Sequence, residues 1–220
     1  MAEIKKKPWR DACRFEMKKA ALKEAKARTG KKNPGFIYRW EHVKAVVSQA
    51  KKLAEITGAD ADVIEAAAWL HDIKKHESGS KHAELGARFA GQFLLETNFP
   101  KNKIDRVAHA IASHCGLWLD EPLEELEAQV LWDADKLTKV GLTAAFHRIP
   151  GDLVRPNVSY TTEDIIESGR ANDWQDKTVA SFHTNAARKA GAERLKASRL
   201  LWKQLAQELK GKDLLELDSM

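Results

Sequence analysis

Two cysteines in 220 residues are too few for a disulfide framework. Cys13 and Cys115 are read as free, buried thiols, of a kind that a reducing cytoplasm suits. No apolar run approaches the roughly 20 residues of a membrane span, which excludes a spanning helix. The opening "MAEIKKKPWR" is charged and has no apolar stretch of the secretory kind. Strand-like alternation is missing, and so are internal repeats and low-complexity tracts. What is left is a chain with 43% hydrophobic and 31% charged residues, the balance of a soluble, cytoplasmic globular protein.

Excess charge is also missing from most of the chain. Residues 1–32 hold 12 Lys/Arg against 4 Asp/Glu, whereas the other 188 hold 25 against 28. The basicity therefore belongs to an N-terminal arm, residues 1–35. Such an arm can touch nucleic acid. A solvated helix face is the favoured reading, because Trp9, Cys13, Met17, Ala20 and Ala21 recur at helical spacing and suggest docking by one apolar side.

Helical periodicity runs through nearly every segment, so the fold class is all-α. The first helix is expected from about Pro8 to Arg28, closed by Gly30 and followed by the loop "GKKNPG". From Tyr38 to Thr57 the inward stripe is Val43, Val46, Val47, Ala50, Leu53 and Ala54, with His42 at its edge. Asp60 can cap the next helix, whose stripe of Ile64, Ala67 and Ala68 continues into His71. Ser80 can cap "KHAELGARFAGQFLL". After Pro100 the inward residues are Ile104, Val107, Ala108, Ile111 and Ala112, with His114 on the same face.

Helix is expected again from Leu123 to about His147, with a bend near "WDAD". A long irregular segment at 149–161, a short helix from Thr162, and one long helix from about Trp174 to Lys210 complete the chain. The domain reading is an arm (1–35), a core (36–150) and C-terminal helices packed on it (151–220).

Polar residues on these inward faces carry the functional signal. His42, His71, Asp72, His114 and Asp135 all fall among apolar neighbours, Asp135 between Val130, Leu131, Trp132 and Leu137. Any one of them alone reads as a satisfied core histidine, a helix cap or an ion-pair partner. Asp72 could pair with Lys74 or Lys75, and Asp135 with Lys136. Together they are harder to excuse, since buried carboxylates are costly unless paired or bound to a cation. Neutral imidazoles beside them suit a divalent transition metal.

His42, then "AAAWLHDIKK" with His71-Asp72, then Asp135 in "LWDADKLTKVGLTAA" resembles the H…HD…D signature of the HD-domain superfamily. The last stretch is similar to the D-A-D-[KR]-L run of one bacterial branch of HD phosphohydrolases. The likeness spans about residues 36–150. It implies a helical bundle holding one or two divalent ions (Mn, Fe, Co, Ni or Zn), with His42, His71, Asp72 and Asp135 as first-metal ligands. It further implies His82, in "KHAELGARFA", and His114, in "AIASHCG", as ligands of a second ion. His109 competes with His114, but five helical residues separate them by about 140°, and only His114 shares the inward stripe.

The expected activity is hydrolysis of a phosphoester in a nucleotide or another small phosphorylated substrate, with Asp72 and Lys136 as catalytic residues. Lys75, Lys139, Arg148 and Arg155 are candidates for gripping phosphate. One departure stands out: where some HD nucleotidases place a catalytic glutamate after the doublet, this chain has Lys74, Lys75, His76 and Glu77. Two other classes stay open, an HD-type di-iron oxygenase and a metal-holding module that binds nucleotides or RNA through the basic arm.

Overall fold

The computed structural model describes residues 6–153, 159–171 and 173–214; within these, the side chains of 148 and 151–153 are left aside. Helix α1 (Trp9–Thr29) ends on Gly30, whose φ of 66° is the left-handed conformation glycine adopts without a Cβ penalty. Then come α2 (Tyr38–Thr57), α3 (Ala61–Leu70), the single turn α4 (Lys75–Ser78) and α5 (His82–Leu95). They are followed by α6 (Ile104–Ala112), α7 (Leu126–Leu137), α8 (Gly141–Leu153), α9 (Thr162–Arg170), α10 (Asp173–Ala180) and α11 (Asn185–Glu208). The architecture is all-α, with no strand among the described residues. No described helix is long and apolar enough to cross a membrane.

Helix α3 lies at the centre and touches α1, α2, α5, α6 and α7. Its alanines make this possible: Ala66, Ala67 and Ala68 are fully buried, and their short side chains let neighbouring helices approach on every side. Asp60 starts α3 by accepting the N–H groups of Asp62 and Val63. The same carboxylate receives Lys103 at 2.9 Å and Arg106 at 3.2 Å, which ties the start of α6 to the start of α3. Across the bundle Gly86 of α5 lies so close to the end of α3 that a Cβ there would sit 3.3 Å from the His71 carbonyl. The site-bearing helix ends are thus pressed together by small residues.

Helix α1 is packed into this core through Trp9, Cys13, Met17 and Ala21. Its start is also tied down, because Trp9 N–H donates to Asn98 Oδ1 at 2.8 Å and Asn98 N–H to the Lys7 carbonyl at 3.0 Å. Cys13 is buried as expected, with burial pushing its thiol up to about 12, but Cys115 is exposed, because it lies past the end of α6. On α6 itself Ala110 is buried and Ala112 is exposed, since the chain leaves the helix there.

Other boundaries moved for identifiable reasons. The break between α7 and α8 falls at 138–140, after "WDAD" and not within it, where Gly141 turns the chain with φ of 81°. Helix α8 then runs through Pro150, where a terminator was expected. Its Ala145 and Ile149 pack with Ile166 and Trp202, so tertiary contact outweighs the one backbone bond the proline removes. Residues 154–158 lie outside the described set.

The expected long C-terminal helix is two helices. Phe182 turns into the core between them, 1% exposed, and Thr184 caps α11 by accepting from Ala187 N–H. Asp133 of α7 holds that corner, accepting from His183 N–H at 2.9 Å and Thr184 N–H at 2.7 Å. The first acid of "WDAD" is therefore a structural anchor. Ser80 does not cap α5; a 3₁₀ turn over Gly79–Lys81 leads into it.

Candidate metal centre

Six polar side chains converge where helix ends meet. His42 projects from the second turn of α2, and His71 and Asp72 leave the end of α3. His82 opens α5, His114 lies two residues past α6, and Asp135 comes from the last turn of α7. None is more than 6% exposed. Helix ends suit this role because each has unpaired backbone carbonyls or amides available to orient a side chain.

Every imidazole is oriented in the same way. The Nδ1 atoms of His71, His82 and His114 lie 2.8, 2.7 and 2.5 Å from the carbonyls of Ala68, Gly79 and Ile111. A carbonyl only accepts, so each Nδ1 carries the proton. The Thr138 hydroxyl donates to the Asp135 carbonyl at 2.7 Å and accepts from His42 Nδ1 at 3.0 Å. All four Nε2 atoms therefore face inward, where a neutral ring presents its lone pair. They meet in pairs: His42 and His71 at 3.4 Å, His82 and His114 at 3.2 Å. Two acceptors facing at such distances repel unless a cation lies among them.

Asp72 stands between the pairs with one oxygen for each. Its Oδ2 is 3.5 Å from the Nε2 of both His42 and His71, and its Oδ1 is 3.5 and 3.7 Å from those of His82 and His114. Two groups thus have the donor set for an ion: His42, His71 and Asp72, and Asp72, His82 and His114. Asp135 adds Oδ1 at 3.2 Å from His42 Nε2. Imidazole nitrogen with carboxylate oxygen, buried and converging, fits a divalent transition metal.

The electrostatics agree. Burial pushes His71 down to about 3 and His82 down to about 4, so both rings are neutral at pH 7 and free to ligate. Burial alone would raise Asp72, but Arg39 and the histidines hold it well below the usual carboxylate range. Burial likewise opposes ionisation of Asp135, and Lys136 and Lys139 overcome it.

A shell of cations surrounds these acids. The partner of Asp72 is Arg39, which donates from Nη1 to Oδ2; Lys74 and Lys75, the pairings expected from proximity in sequence, do not reach it. Lys136 donates to Asp135 Oδ2 at 2.5 Å and to the His114 carbonyl at 2.7 Å, and lies 4.2 Å from the Trp132 ring centre. Burial lowers it to about 8, the lysine being only 1% exposed. Lys139 donates to Asp135 Oδ1 at 2.5 Å, and Lys75 Nζ is 3.2 Å from His82 Nε2. A cavity of about 160 Å³ opens here, bounded by Tyr38, Arg39, Lys75, Lys136 and Lys139, with Asp72, Asp135, His82 and His114 also lining it.

Other candidates lie elsewhere. Glu77 is exposed and engaged by Lys23 at 2.7 Å and Lys74 at 3.1 Å, and His76 and His109 are exposed. Arg148 is on α8, with its side chain undescribed, and Arg155 lies outside the described residues. Sequence reasoning missed Arg39, Thr138 and Glu24. Arg39 is three residues before His42 and Thr138 three after Asp135, so helical spacing alone could have marked both.

Residues 39–139 match the model of the HD domain family. That segment of the chain is similar to the HD domain. The H…HD…D residues lie within that match and are gathered in one site whose donor groups could hold a metal ion. Solved structures share the fold. An HD superfamily hydrolase from an uncultured Thermotogales bacterium is 22% identical, with 87% of this chain and 92% of that one covered and a TM-score of 0.58. Bacillus subtilis YpgQ, in complex with ADP, is 19% identical over 89% of this chain and 98% of its own, with a TM-score of 0.62. An HD-superfamily hydrolase from Bacillus thuringiensis is 19% identical, covering 90% and 98%, with a TM-score of 0.61. No curated protein matches the chain.

Proposed function

We propose that this protein hydrolyses a phosphoester of a nucleotide, or of a similar small phosphorylated molecule, at a centre of two divalent ions. The observation that carries the reading is the pair of facing Nε2 couples with the Asp72 carboxylate between them. His42, His71, Asp72 and Asp135 would hold one ion, and Asp72, His82 and His114 the other. Such ions supply hydroxide at neutral pH and draw charge from phosphoryl oxygens.

The chain's own residues do the rest. Asp72, ionised far below neutrality, accepts a hydrogen bond and so orients the attacking water. Lys75, Lys139 and Lys136 surround the cavity and oppose the charge of a phosphoryl group there. Around the centre Arg39, Lys75, Lys136 and Lys139 outnumber the carboxylates of Glu24, Asp72 and Asp135. Added divalent ions make the site more positive still, which suits an anionic ligand. The cavity, about 160 Å³ and open to solvent, has room for a phosphoryl group beside the centre. A relative of the same fold that binds ADP supports a nucleotide.

Phosphate release from a panel of nucleoside mono-, di- and triphosphates with Mn²⁺ tests the reading. The native protein should exceed a His71→Ala/Asp72→Ala variant on at least one of them. Equal release by both, with every metal tried, removes the proposal.

A further inference from the structure

We propose that Glu24, on α1 and outside the matched HD segment, is a positioning residue for the metal centre: it clamps Arg39 and balances its charge, so that Asp72 stays available to a cation. The inference rests on the metal-centre reading above. Its geometric basis is a buried chain of three charges. Arg39 directs Nε to Glu24 Oε2 at 2.9 Å and Nη2 to Glu24 Oε1 at 3.3 Å, and only Nη1 reaches Asp72 Oδ2. The two-donor edge of the guanidinium therefore grips α1, and a single N–H is left for the ligand. The side chains of Glu24, Arg39 and Asp72 are 4, 8 and 6% exposed, so solvent does little to screen them.

Charge explains why the clamp matters. Arg39 and Asp72 alone would form a neutral pair, and a neutralised carboxylate is a poor ligand for a divalent ion. With Glu24 included, the trio keeps one net negative charge beside the His42–His71 pair. The clamp also fixes direction. Arg39 engages Oδ2, and Oδ1 stays turned to His82 and His114, which holds the carboxylate plane across both pairs. Arg28 shares Glu24 at 2.9 Å but is 53% exposed, so water weakens its competing pull. Helix α1 thereby becomes part of the active centre.

The test is titration of Mn²⁺ into the full chain after chelator treatment, with circular dichroism to measure the folded fraction. Glu24→Gln should remain folded and bind Mn²⁺ about tenfold more weakly. Glu24→Gln/Arg39→Met should recover most of that loss, because no unbalanced guanidinium remains. A purely structural Glu24 would lower the melting temperature, leave the affinity of folded protein unchanged and give no recovery; that result overturns the proposal. Should Glu24→Gln fail to fold, Arg28→Met reads the same effect with opposite sign. It frees Glu24 for Arg39 and should tighten Mn²⁺ about twofold; an unchanged or weaker affinity overturns the idea. Native protein that takes up no Mn²⁺ overturns the metal-centre reading together with this one. Native uptake matched by Glu24→Gln overturns this one alone.

Discussion

The two halves of the centre are built alike and protected differently. Each has two imidazoles with Nδ1 committed and Nε2 inward, and each shares Asp72. The His42–His71 half has a second carboxylate, Asp135, which borders the cavity, while its two imidazoles lie behind it. The His82–His114 half has none and borders the cavity, with Lys75 Nζ 3.2 Å from its first imidazole. A second carboxylate ligand, shared with Lys136 and Lys139, and less water favour a cation on the first side. A neighbouring ammonium disfavours one on the second. On the proposed reading, the first half is the tight, structural metal position and the second is the exchangeable one next to substrate.

Breaking the shared element should have the largest effect. Asp72→Ala removes a ligand from both halves and leaves Arg39 paired with Glu24 alone; phosphate release should fall about a thousandfold, with metal content near zero by mass spectrometry. Next, the halves should separate. His82→Ala should keep one tightly held ion and lose about a hundredfold in turnover, whereas His71→Ala should lose the tight ion itself. Equal metal loss in the two variants would contradict the asymmetry.

A smaller change tests the orientation of the first half. Thr138→Val leaves His42 Nδ1 without an acceptor, and Mn²⁺ affinity should fall about tenfold with the fold intact by circular dichroism. The smallest effect is on metal-free stability. A histidine whose folded pKa is depressed takes up its proton only on unfolding, so it stabilises above its ordinary 6.5 and loses that contribution as pH falls. For His82 the loss ends near 4, and for His71 it continues to about 3. Each group contributes at most about 1.4 kcal/mol per pH unit. Melting curves of chelated His71→Asn should therefore be flatter than native curves below pH 6.5, and a parallel curve would refute the assignment.

Much of this was readable before any coordinates. The all-α class and the span of α2 followed from helical spacing and Gly58, and His71 and Asp72 stood out because an alanine-rich buried face ends in them. The contacts that tune the centre were not readable. Glu24 falls three residues past Ala21 and seven past Met17, at the end of the inward stripe. A lone acid there, beside Lys23 and Lys26 in sequence, resembles a surface residue until α1 docks. Lys136 follows Asp135 directly, yet its burial depends on Trp132 and the His114 carbonyl, which only tertiary packing supplies. The divided C-terminal helix escaped notice because Phe182 keeps the helical apolar period while it turns inward. Thr184 before "NAAR" was the available cap signal.

The most direct test of the central claim is a metal count. Chelated protein is equilibrated with Mn²⁺ by dialysis, and the bound ions are counted against the dialysate by inductively coupled plasma mass spectrometry beside His82→Ala. The account predicts two ions per native chain and one per variant chain. A native protein that retains fewer than two ions, or a variant that retains as many as the native protein, would contradict it.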